Sequence, residues 1–306
     1  MKMSTALAGY WLDKRDRLRV NTQNDYRLTF ARFVENVGDK DIEQVSVVDV
    51  RGFLAHLAKE FKLGAKSRCN AWVALSSLWT WAEKTIEIPH VVSRVEKPKY
   101  TTPTIVTYTQ AEIKAMVAGC EHNEEWTTKT KKQIKPSRSS VLRDKAIIVL
   151  LTDTGIRASE LCDLLISDYS EKTGRIDIRH GKGDKARVVY ASTSARRYLW
   201  RYLATRGKLD GNRPLFETAT GNHLDRRGLL RMVSTLGNRA GVDNAYVHKF
   251  RHTFAVNFIR NGGNAIELKN LLGHSNMNTV LIYVKLAAVD LENAQQRASV
   301  ADRWRL

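Results

Sequence analysis

The chain has 306 residues, with 50 Lys+Arg against 32 Asp+Glu, a formal charge of +18 and a pI near 9.9. Its 43% hydrophobic content is too apolar for a disordered protein, and its length favours two cores over one. So large a positive charge calls for a polyanion, either nucleic acid or an anionic membrane surface. With no run of 18 apolar residues and no signal-peptide block before Leu12, the expectation is a soluble, cytoplasmic chain without a membrane partner.

The first elements read as helices at Leu7 to Arg19, Thr22 to Val37, Ser46 to Glu60 and Lys66 to Lys84. In the second, Tyr26, Phe30, Phe33 and Val34 recur at helical spacing behind Thr22 as N-cap, and in the fourth Trp72, Leu75, Leu78 and Trp79 do the same. These aromatic stripes are expected to form the core of a small bundle rather than a platform for stacking bases. Pro89, Pro98 and Pro103, with Lys97-Pro98-Lys99, mark an extended linker. The expected division is a helical domain at 1–92, a linker at 93–106 and a second domain at 107–306. Residues 1–95 carry 15 Lys+Arg and 11 Asp+Glu, so most of the positive charge belongs to the second domain.

There, Thr127 to Leu142 contains no acid and carries Lys129, Lys131, Lys132, Lys135 and Arg138. It is either a DNA-contacting loop or a solvated insertion. Asp144 to Thr152 reads as an apolar helix stopped at Thr154-Gly155. Arg175 to His180 alternates with Ile176 and Ile178 on one face, Gly181-Lys182-Gly183-Asp184 turns, and Ala186 to Ala191 returns as the second strand of a hairpin. Helices follow at Ser192 to Arg206, Asp225 to Ala240, Lys249 to Asn261, Ala265 to Leu272 and Asn278 to about Gln296. The fold class expected is mostly α with a small β-sheet.

Cys69, Cys120 and Cys162 are odd in number and widely spaced, which suits buried thiols and neither disulfides nor zinc. The eight histidines show no HExxH or HxH, so no metal or other cofactor is expected. Transfer of a phosphodiester without metal needs cationic donors on the non-bridging oxygens, a nucleophile, and an acid for the leaving oxygen. Scattered Arg, His and Lys around a Tyr meet that need. His248-Lys249-Phe250-Arg251-His252-Thr253-Phe254-Ala255 opens a helix and puts His248 and Arg251 on one face near an N-terminus suited to phosphate. Leu272-Gly273-His274-Ser275 follows, and Tyr283 stands nine residues after His274. Each piece alone is also consistent with ordinary packing or a surface ion-pairing face.

Taken together and in order, Thr154-Gly155-Ile156-Arg157-Ala158-Ser159-Glu160-Leu161, Gly181 to Arg187, His248 to Ala255 and Leu272-Gly273-His274-Ser275 with Tyr283 resemble the tyrosine recombinase or phage integrase family, closest to its Xer-type members. The resemblance spans essentially the whole chain. It implies an N-terminal helical core-binding (SAM-like) domain and a mixed α/β catalytic domain. It also implies a site-specific DNA recombinase working through a 3′-phosphotyrosyl intermediate and a Holliday junction, in integration, excision or dimer resolution.

By position, Arg157 and Arg251 would hold the scissile phosphate, Tyr283 would attack it, His248 would help remove the tyrosine proton, and His274 would be a second phosphate-side donor. Lys182 would be the acid for the 5′-oxygen, with Lys185 a rival. Glu160 would orient an active-site group or make a helix ion pair, and Lys185 and Arg187 would also be available to DNA. The implied partners are double-stranded DNA with a specific core site and a homotetramer on two duplexes, joined through the C-terminal tail or with the tail packed in cis. The setting implied is nucleoid-associated. A type IB topoisomerase-like enzyme and a catalytically silent DNA-binding protein are the alternatives. Lys249 replaces the acidic residue often found there, and the basic 127–138 segment is longer than its Xer-type equivalent.

Overall fold

The computed structural model describes residues 1–306 apart from 102–103, 122–125, 128–132, 135–137, 180–185, 208, 219, 275, 288–298, 300, 302–303 and 305–306. Two compact units are present, Met1–Thr104 and Ile105–Leu306.

The first unit contains the helices α1 (Met3–Lys14), α2 (Val20–Val37), α3 (Val47–Lys59) and α4 (Ala65–Thr85). The aromatic stripes form its core, as their spacing predicted. Trp79 meets Phe33 edge-on at 5.8 Å, Phe33 meets Phe53 at 5.1 Å, and Tyr10 packs among Trp11, Phe30 and Trp81. Ser46 caps α3 in a reciprocal box with Asp49.

Two boundaries differ from expectation. α1 begins four residues earlier because Ser4 is tied through its amide and hydroxyl to Asp39, which buries Met3 and Ala6. α2 begins at Val20, so Thr22 lies inside the first turn rather than capping it. There Gln23 Nε2 donates to the Arg15 and Leu18 carbonyls and draws the preceding turn onto the helix. The stretch expected as linker from residue 93 is partly core: Val95 is buried and its carbonyl accepts from Trp72 Nε1.

The second unit runs α5 (Gln110–Gly119), β1 (Trp126–Thr127), β2 (Gln133–Ile134), α6 (Arg138–Thr154), α7 (Ala158–Asp163), β3 (Arg175–Ile178), β4 (Arg187–Tyr190), α8 (Thr193–Leu203), α9 (Arg226–Arg239), α10 (Val247–Arg260), α11 (Ala265–Leu272) and α12 (Asn278–Ala287). α6 is the central helix, with Ala146, Ile147, Ile148, Leu150 and Leu151 fully buried against neighbours that include α5, α8 and α10. It starts six residues before the expected Asp144, and so takes up the end of the acid-free segment; at the other end of that segment Trp126 pairs with Ile134 and Thr127 with Gln133. β3 and β4 pair antiparallel, Ile176 opposite Val189 and Ile178 opposite Arg187, as the alternation predicted. α5, missed in the sequence, is announced by a Thr109/Glu112 capping box.

A separate apolar cluster joins α10, α11 and α12 through Ala255, Val256, Ile259, Leu268, Leu272, Val280 and Tyr283. All three cysteines are free and buried. Among the described residues no helix is long and apolar enough to cross a membrane.

Candidate active site

The site is built where α6 turns into α7 against α10 and the end of α11. α6 stops at Gly155, whose φ of +59° suits glycine, and a Cβ there would lie 2.5 Å from Phe254 of α10. The turn delivers Arg157 to the N-cap of α7. Its amide and guanidinium both bond Glu160, at 2.7 and 2.6 Å.

Glu160 is nearly fully buried and also takes both Nη groups of Arg187 from β4, each at 2.7 Å. Burial alone would raise its carboxyl. Hydrogen bonds and charge from Arg187, then Arg157, outweigh that and bring it down to about 2.

α11 ends on Gly273 in the left-handed region, and the last carbonyls of a helix have no donors of their own. Three arginines fill that gap on successive carbonyls. Arg187 Nε donates to Leu271 at 2.7 Å, Arg251 Nη2 to Leu272 at 2.6 Å and Arg157 Nη2 to Gly273 at 3.3 Å. The negative end of the helix dipole favours cations there. Arg251, on α10 and 1% exposed, also donates through Nη1 to the Gly155 carbonyl at 2.9 Å, while its Nε has no hydrogen-bond partner among the described residues. Burial, helped by Arg157, lowers this guanidinium to about 9, so it stays charged at neutral pH.

Carbonyls orient the three guanidiniums without neutralising them, and Glu160 is the carboxylate bonded to two of them. The cluster therefore keeps a surplus of positive charge, and it is preorganised for an anion that needs planar, bidentate donors.

Against this cluster stand three histidines and Tyr283. His274, just past Gly273, has Nε2 3.1 Å from Arg251 Nη2. Tyr283, on α12 and 2% exposed, has its hydroxyl 3.0 Å from His252 Nδ1. Burial raises the Tyr283 phenol, against the opposing pull of Arg251 and Arg157. His252 meets the ring of His248 edge-on at 4.5 Å. Burial, then His248 and Arg251, bring His252 down to about 4, and burial with Arg251 and Arg157 lowers His248 as well.

The structure thus brings together Arg157, Glu160, Arg251, His274 and Tyr283, with His248 close enough to feel both arginines. Two residues stand otherwise than their expected roles suggest. Arg187 does not face solvent for a duplex, because its guanidinium is occupied by Glu160 and Leu271 and its side chain is 9% exposed. The ring bonded to the Tyr283 hydroxyl is that of His252, not His248, because α12 meets α10 one helical turn further on. His252 was missed in the sequence; its spacing of four from His248, on one helical face, was the available signal.

Lys182, Lys185, Lys129, Lys131, Lys132 and Lys135 lie outside the described residues, and Arg138 is the first residue of α6. Lys249 is buried over the Tyr108 ring and 3.7 Å from Glu112, away from the arginine cluster.

Residues 109–289 match the Phage integrase family, and residues 10–85 match the phage integrase N-terminal SAM-like domain. The chain is 30% identical over 265 residues to the tyrosine recombinase XerC of Corynebacterium glutamicum, covering 85% of this chain and 80% of that one. It is 32% identical over 273 residues to the XerC of Thermodesulfovibrio yellowstonii, covering 84% and 82%. In fold it is similar to a lambda integrase dimer bound to a core site, with a TM-score of 0.73 at 15% identity over 91% of this chain and 97% of that one. It is also similar to the XerH site-specific recombinase bound to a palindromic difH substrate, with a TM-score of 0.68 at 21% identity over 91% and 79%.

Proposed function

We propose, for a chain that belongs to the phage integrase family, that Tyr283 is the nucleophile which opens a DNA strand. The protein is a tyrosine recombinase, an enzyme of site-specific DNA breakage and rejoining. The observation that carries the assignment of residues is the surplus-charge arginine cluster beside a buried tyrosine hydroxyl.

Arg157 and Arg251 hold the non-bridging oxygens of the scissile phosphate, and the Arg251 Nε, buried and without a partner among the described residues, is a donor left over for that charge. The Tyr283 oxygen attacks phosphorus, the bond to the 5′-oxygen breaks, and a 3′-phosphotyrosyl link forms. Lys182, or its neighbour Lys185, gives the 5′-oxygen its proton. His274 and His248 donate to the phosphate side as charge builds. Because the phosphoester is kept in the covalent link, the 5′-hydroxyl of a partner strand can reverse the step without ATP. Two such exchanges pass through a Holliday junction.

Glu160 keeps Arg157 and Arg187 in place rather than touching DNA. Residues 1–92 act as the core-binding domain and 107–306 as the catalytic domain, on a specific duplex site in the nucleoid. Four protomers assemble on two duplexes, linked by the tail after α12. The task is integration, excision or dimer resolution.

A nicked suicide duplex tests the assignment. The unaltered chain becomes covalently joined to DNA, Tyr283→Phe does not, and Arg157→Ala still binds but does not cleave. Loss of binding in Arg157→Ala would make that residue structural, and trapping by Tyr283→Phe would remove the nucleophile.

A further inference from the structure

We infer that His252 is a further catalytic residue, whose Nδ1 takes the Tyr283 proton during attack and returns it when the strand is rejoined. The inference rests on Tyr283 being the nucleophile. A hydroxyl on a side chain 2% exposed has little bulk water to receive its proton, so a protein group must stand in hydrogen-bond reach. His252 Nδ1 does so at 3.0 Å, the ring centroids being 5.7 Å apart.

The ring must arrive neutral to accept a proton, and burial first, then the neighbouring His248 and the Arg251 guanidinium, keep it so. Acceptance at Nδ1 requires the tautomer with its hydrogen on Nε2. The charged and titratable groups around it are His248 and Arg251 on its own helix and Tyr283 on α12, with Arg157 bearing on His248 and Tyr283. Of the other helices against α10, α6 directs Asp153 to the Ser192 amide and α11 uses Glu267 in its own capping box. A phosphodiester entering the arginine cluster offsets the charge that holds His252 down, so its basicity rises when the substrate is in place.

The step balances. The Tyr283 O–H bond breaks and its proton moves to Nδ1, the O–P bond forms, the P–O5′ bond breaks, and the 5′-oxygen takes a proton from the lysine assigned above, Lys182 or Lys185. In rejoining, the 5′-hydroxyl gives its proton to that lysine, the O5′–P bond forms, the phosphotyrosyl bond breaks, and the phenolate recovers the proton held on His252.

The test uses the full chain and a nicked duplex bearing the core sequence recovered when the unaltered chain is trapped on a randomised pool. Rates of covalent capture are measured from pH 6 to 9 for the unaltered chain, His252→Ala and His252→Asn. The Asn amide keeps a hydrogen-bonding atom near the Nδ1 position but cannot take a proton. Both variants bind the duplex, cleave about 100-fold or more slowly at pH 7, and recover about tenfold per pH unit as hydroxide replaces the missing base. The unaltered chain is nearly flat over pH 7–9. Restoration of the rate by Asn would reduce His252 to a hydrogen-bond partner, and slow cleavage with an unaltered pH profile would make it structural. Either result overturns the inference while leaving Tyr283 as nucleophile, whereas DNA captured by Tyr283→Phe would overturn both readings.

Discussion

Arg251 is a buried cation held by two carbonyls and a histidine, a pattern better suited to receiving an anion than to stabilising the fold. Arg251→Lys keeps the charge but loses the fork, and should lower cleavage by about 100-fold while duplex binding persists; capture on a nicked duplex measures it. Glu160 is the opposite case. Glu160→Gln leaves the buried guanidinium of Arg187 without its counter-charge and should cost about 3–5 kcal/mol in denaturant unfolding. Its depressed carboxyl means that its stabilisation is present above the ordinary Glu value and lost as pH falls towards about 2. His252 and His248 are depressed too, so the unfolded chain binds protons that the folded chain refuses. Stability should therefore fall as pH drops from the ordinary histidine value, 6.5, to about 4, and His252→Asn should shrink that loss. Unfolding free energies measured across this window decide the matter, and a flat profile would contradict the assigned burial.

At the scale of elements, two helix ends position the chemistry. Gly155→Ala puts a Cβ into Phe254 at a backbone angle costly for alanine, and should lose about 2–4 kcal/mol together with the Gly155–Arg251 bond. Thermal unfolding and capture rates should fall together. Much of this framework was legible in the sequence, because its causes are local. Ser46, Asp225 and Asn264 cap where helices begin, Gly273 ends α11, and the alternation of Ile176 and Ile178 sets the hairpin face. The ordered Arg, His and Tyr positions were legible only together. What stayed hidden was set by tertiary contact: the start of α1 by Asp39, the burial of Arg187 by the end of α11, and the choice between His248 and His252 by where α12 meets α10. Both histidines share one helical face, and no spacing along the chain distinguishes them.

At the scale of the molecule, two separately cored units carry a charge of +18, most of it after residue 95. Duplex affinity should accordingly fall on the order of a thousandfold between 50 and 200 mM salt if six or more phosphates are neutralised. A weak salt dependence would place recognition elsewhere than on the backbone. The covalent link itself identifies the nucleophile. The chain trapped on a nicked duplex is digested with trypsin, and the DNA-bearing peptide is sequenced by mass spectrometry. Cleavage after Lys269 and Lys285 yields the peptide 270–285, in which Tyr283 is the single tyrosine. A 3′-phosphate adduct on Tyr283 is expected; an adduct on any other residue, or one through a 5′-phosphate, would overturn Tyr283 as the nucleophile.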